Sequence, residues 1–123
     1  MALLPNTYTI VTAASSQWSA VFTVTNDDGS LTDLTGKTFE MVIRDRLGNV
    51  GQVLASVSNG ASTANGTIQV DLQRSTVRVI LNPVAVDTVT SGGAPYTLWM
   101  DPNLSDATAL VTGIIYVNPV ANP

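Results

Sequence analysis

Nine carboxylates supply nearly all of the acid–base capacity of this chain: Asp27, Asp28, Asp33, Glu40, Asp45, Asp71, Asp87, Asp101 and Asp106. There is no His and no Cys. Their absence removes the commonest general base and transition-metal ligand, any thiolate nucleophile and any disulfide. Asp27, Asp28 and Asp33 invite a Ca²⁺ reading, as does Asp101 with Asp106. A Ca²⁺ loop needs about six oxygens or more at roughly 2.3–2.6 Å, and an EF-hand closes with a Glu. No Glu closes the loop here, so turn chemistry accounts for these residues and no metal site is assigned. Glycoside hydrolysis needs two carboxylates flanking a cleft. Glu40 falls on the polar face of a strand, between Thr38 and Val42, and most of the Asp residues fall in turns. A Ser nucleophile needs a base, and Lys37 is the only Lys. The expectation is a protein with no catalytic residue, no cofactor and no enzymatic activity.

Aromatic residues offer another chemistry. Trp18, Trp99, Tyr8, Tyr96 and Tyr116 have the polar handles that suit a sugar-stacking platform. That makes a carbohydrate-binding module one alternative. Trp18, however, is in register with Phe22 and reads as core. Trp99 is out of register with Tyr96, Leu98 and Met100, so one of the two sets is expected to face outward or into a partner.

The elements that must position these groups are short strands. Trp18, Ala20, Phe22 and Val24 share one face, and Phe39, Met41 and Ile43 share another, a period of two that marks half-buried strands. The spacing predicts strands over Tyr8 to Thr12, Trp18 to Thr25, Thr38 to Arg44, Val50 to Val57, Thr67 to Leu72, Val77 to Leu81, Tyr96 to Met100 and Leu110 to Val117. Asn82 and Pro83 read as the cap and first residue of a short crossover helix. Turn residues join the strands: Asn26-Asp27-Asp28-Gly29, a polar Ser58 to Gly66, and Asp101-Pro102-Asn103. Such a pattern predicts an all-β antiparallel sandwich or barrel of about eight strands.

The 123 residues suit one domain. Only 11% are charged, against about 25% in average domains, which suits a surface packed against neighbours. A net charge of −4 and scattered cations at Lys37, Arg44, Arg46, Arg74 and Arg78 argue against a nucleic-acid partner. No stretch is apolar for the roughly 18 to 20 residues of a membrane helix, so no membrane partner is expected. Met1-Ala2-Leu3-Leu4-Pro5 lacks the basic and long apolar regions of a signal peptide.

The order of these parts resembles a known family: the immunoglobulin-like N-terminal domain of phage baseplate upper proteins and related small phage virion structural proteins. The residues that carry the resemblance are the Asp27-Asp28-Gly29 turn, the Asp33-Leu34-Thr35-Gly36 segment and the strand Thr38 to Arg44 with its basic end. Gly48-Asn49, Asn65-Gly66, Val77 to Leu81, the crossover Pro83 to Val89 and Tyr96-Thr97-Leu98 follow in the same succession. The resemblance implies an immunoglobulin-like sandwich and a non-enzymatic bacteriophage virion structural protein in the tail or baseplate, an adaptor for fibre attachment. That family's domain is often joined to a coiled coil or a receptor-binding part. This chain ends at Pro123, which leaves a capsid decoration protein on the outer head surface as the alternative.

The expected organisation is an arm over 1–6, a sandwich over 7–117 and a tail over 118–123. Two adjacent Leu beside a Pro cannot easily both reach the core of one sheet. Ala2, Leu3, Leu4 and Pro5, with Trp99, Pro119 and Val120, are therefore expected to contact other virion proteins and further copies of this chain, as a homo-oligomer within the particle; the alternative for the arm and the tail is to fold over their own sandwich. Each Leu buried in a neighbour would contribute about 1.5–3 kcal/mol before ordering costs. Deleting residues 1–5 should leave the melting curve unchanged and lower occupancy in the particle. Normal occupancy with normal melting would show the arm to be dispensable.

Overall fold

A computed structural model describes residues 6–46, 51–89 and 93–118. Among them run β1 (Asn6–Thr7), β2 (Ile10–Ala13), β3 (Trp18–Thr23), β4 (Phe39–Arg44), β5 (Val53–Ser58), β6 (Gly66–Asp71), β7 (Thr76–Leu81), α1 (Pro83–Val86), β8 (Ala94–Met100) and β9 (Thr108–Asn118). One sheet has six strands in the order β1-β9-β8-β4-β5, with β2 also paired to β9; the other has three, β3-β7-β6. In the variable-type immunoglobulin scheme, β3 to β9 are strands B, C, C′, D, E, F and G. The two sheets then read G-F-C-C′ and B-E-D, the order of an immunoglobulin-like sandwich.

The core lies between the sheets. Phe39, Met41 and Ile43 of β4 are each 1% exposed, and they face Val77, Val79 and Leu81 of β7, also buried. Each of these side chains stabilises the fold by about 1.5–3 kcal/mol through removal from water. Because successive side chains alternate, burial of one β4 set turns Glu40, Val42 and Arg44 outward.

Several expectations are corrected. Trp18 and Phe22 are half-buried at the core margin rather than inside it, although Val24 is buried. Their strand, β3, is the edge of the smaller sheet, so the facing sheet covers it only on one side. The sandwich is not antiparallel throughout. The first strand splits into β1 and β2, and both run parallel to β9. Parallel pairing needs a long connection, which the intervening chain supplies. Leu72 does not extend β6; it is 55% exposed in the following turn, where Asp71 accepts from the Gln73 and Arg74 amides. Asn82 has cap geometry and Pro83 begins the helix, but the Asn82 side chain caps nothing. It accepts from Gln17 Nε2 at 3.0 Å and donates to the Ala64 carbonyl at 3.3 Å.

The break between β1 and β2 has a local cause. The buried Tyr96 hydroxyl donates to the Tyr8 carbonyl, and burial pushes that phenol up to about 12. Tyr96 pairs across the ladder with Gly113. A Cβ on Gly113 would stand 2.2 Å from the Tyr8 carbonyl oxygen, so only glycine admits the carbonyl there. Gly113→Ala should destabilise by about 1–3 kcal/mol through forced backbone displacement. Tyr96→Phe should lose about 1 kcal/mol with the hydrogen bond. Urea unfolding midpoints measure both; a Gly113→Ala midpoint equal to that of the parent would show the close approach to be unimportant.

Candidate interaction surfaces

Six of the nine carboxylates accept hydrogen bonds from the fold's own backbone. Asp28 Oδ1 accepts from the Ser30 hydroxyl and from its amide at 3.0 Å. Those bonds, the hydroxyl's first, hold the Asp28 carboxyl below the ordinary carboxylate range. Asp33 Oδ1 accepts from the Thr35 amide at 3.0 Å, which lowers it likewise. Asp45 accepts from the Gln52 amide at 2.8 Å and Asp87 from the Ser15 amide at 2.7 Å. Asp28, Asp33 and Asp45 each close a turn or loop, the behaviour that makes Asp common in such segments, whereas Asp87 ties the chain after α1 to the turn after β2. Among the described residues, no group of three or more His, Cys, Asp or Glu side chains converges on a point where a metal ion would sit.

Asp101 pins two loops together. Its backbone is left-handed, with φ of 51°, which Asp tolerates better than most residues. Its residue surface is only 4% exposed. Oδ1 accepts from the Thr38 amide at 2.9 Å, the Asp101 amide donates to the Thr38 carbonyl at 2.7 Å, and Oδ2 stands 3.4 Å from Lys37 Nζ. The β3–β4 connection is thereby clamped to the turn between β8 and β9. The Thr38 amide, with help from Lys37, outweighs burial and holds the Asp101 carboxyl below its usual range. This pin joins positions 63 residues apart, and no local spacing announces it.

One groove of about 520 Å³ opens beside the free edge of β3, lined in part by Tyr8, Phe22, Asn26, Asp27 and Leu110. The Tyr8 and Phe22 rings meet edge to face, 5.7 Å apart at 84°. Neither ring therefore lies flat beside the other as a stacking platform would need.

The broader surface is the outer face of the six-stranded sheet. Its central rung crosses five strands through Ser56, Val42, Thr97, Thr112 and Thr7. The rung on one side is Ser58, Glu40, Trp99 and Ala109. The rung on the other holds Arg44, one step past the Ile43–Tyr96 pair, beside Pro95 and Ile114. None of these side chains belongs to the core between the sheets. Val42 is nonetheless only 9% exposed, hemmed in by its lateral neighbours. Among the described residues no element lies over this face.

Trp99 thus stands on the outer sheet face, half-buried, as its register implies. Tyr116 lies on the same face near the far end of β9, roughly 20 Å away at strand rise, so the two aromatics do not form one platform. Ala2, Leu3, Leu4, Pro5, Pro119 and Val120 lie outside the described residues. That Glu40, beside Trp99, and Arg44, on the opposite rung, flank Val42 on one sheet face was missed from sequence; the signal was their even spacing about Val42. The chain matches no protein-family model and no curated protein.

The depressed Asp101 carboxyl makes stability depend on pH. Between its ordinary value of 3.8 and its lower folded value, the unfolded chain binds more protons. Stability from this group is full above that ordinary value and is lost as pH falls through the folded one. Asp101→Asn keeps the left-handed backbone accessible and removes the charge. The variant should melt lower than the parent at pH 7, with the gap narrowing below pH about 4. A gap of constant size from pH 7 to pH 2 would show that the charge does not hold the loops.

Proposed function

We propose that this chain is a non-enzymatic structural module of a bacteriophage virion, placed in the tail or baseplate as an adaptor for fibre attachment. One observation carries the reading. The succession of Asp-Gly turn, Asp-Leu-Thr-Gly segment, basic-ended strand and helical crossover lies on an immunoglobulin-like strand order. In that setting Asp28 and Asp33 fix the loop between β3 and β4, and Leu34 anchors it at 1% exposure. Most of the carboxylates that would otherwise suggest chemistry serve to hold the backbone in place. What remains for function is shape: a rigid sandwich with a weakly charged, partly apolar outer face.

A purified particle tests the reading. Mass spectrometry of gradient-purified virions should find the chain at a stoichiometry set by the particle's symmetry, and an electron-microscopy map should hold its sandwich at the baseplate. Absence of the chain from purified particles would overturn the proposal. Density on the head surface would move it to capsid decoration.

A further inference from the structure

We propose that two copies of this chain pack face to face through the outer surface of the six-stranded sheet. The two-fold axis would lie between the copies, run across the strands and pass over Val42. The inference needs no particle, so its success or failure leaves the virion reading untouched.

The pattern of the three rungs carries it. In a two-fold interface, residue i meets residue j and j meets i. An axis across the strands lays each strand over its own copy, running the opposite way. Val42 and Thr97 then lie on the axis and meet their equivalents. Glu40 stands two positions before Val42 and Arg44 two after, so the operation sets each acid against the base of the second copy. The same operation sets Trp99 against Pro95 and Ala109 against Ile114, an aromatic on a proline ring and a small residue opposite a large one. Every one of these pairings is complementary in charge or volume. An axis along the strands would instead oppose Glu40 to Glu40 and Arg44 to Arg44, and like charges at a contact are repelled. The face therefore selects one axis.

Size and charge agree. The five strands that share the central rung span roughly 24 Å with their own widths included, and the three rungs with their margins span roughly 20 Å. Burying that face on both copies covers roughly 1,000 Å², the lower bound of a specific interface. Aligned sheets pack about 30° apart because each is twisted, so contacts tighten at the axis and loosen at the rim. Arg44 is already steadied for this, since its Nη1 donates to the Gly51 carbonyl at 2.8 Å. Among the described residues its other donors meet no carboxylate.

Sedimentation of the purified native chain over a concentration series tests the proposal against charge variants. The native chain should show reversible dimerisation. Glu40→Arg and Arg44→Glu should each weaken it about tenfold or more, and the double exchange should return it to within about threefold of native. Arg78→Glu, on the exposed outer face of the smaller sheet, should change nothing. Thr97→Lys sets like charges together on the axis and should abolish the dimer while the melting curve shows a folded domain. A native chain that stays monomeric at millimolar concentration would overturn the proposal. So would a double exchange as weak as its single members, or an Arg78→Glu loss as large as theirs.

Discussion

The register of β4 is the constraint on which the rest depends. Phe39, Met41 and Ile43 are all but fully buried, and the strand period is two. A slip by one residue would put Glu40, Val42 and Arg44 between the sheets, at the cost of burying two unpaired charges. Burial on the inner face therefore dictates what the outer face displays. β4 also sits between β8 and β5, so its register passes to both neighbours. Trp99 lies beside Glu40, and Thr97 beside Val42, because Met41 must meet Leu98 on the inside.

Around this frame, side chains with little room for choice hold the connections. Asp101 ties Thr38 from across the domain. The buried Ser75 hydroxyl lies 2.7 Å from the Val24 carbonyl and 2.8 Å from that of Thr32, at the root of the loop after β3. Tyr96 reaches the Tyr8 carbonyl over Gly113. These bonds act at the two ends of the sandwich and at the parallel edge, where ladder hydrogen bonds run out. Among the described residues, buried side-chain polar atoms all have partners. That is the condition under which buried polar groups cost little.

Much of this was legible in the sequence, for physical reasons. Strand periodicity found β4 and its buried set because both neighbours in its sheet and the facing sheet cover it. The same periodicity overstated Trp18 and Phe22, because alternation reports which face a residue takes and not whether its strand lies at an edge. Parallel pairing of β1 and β2 with β9 was invisible, since it joins the two ends of the chain. So was the Asp101 pin. The register break between Trp99 and Tyr96 with Leu98 showed that one set faces outward, and burial of Tyr96 and Leu98 decides that it is Trp99. Glu40 and Arg44 were read only as a polar-face carboxylate and one of the scattered cations, since their symmetry about Val42 acquires meaning only once no described element is seen over the sheet's outer face.

The central proposal is that two copies of this domain meet through the outer face of its larger sheet. A dilution series followed by amide and methyl NMR tests it most directly. Concentration-dependent shifts should cluster on Val42, Thr97, Thr112 and Ile114 and on the Trp99 indole N–H, with Val21 and Ile80 of the opposite sheet still. Shifts centred instead on Tyr8 and Phe22 beside the β3 edge, or no shifts over the whole series, would contradict the account.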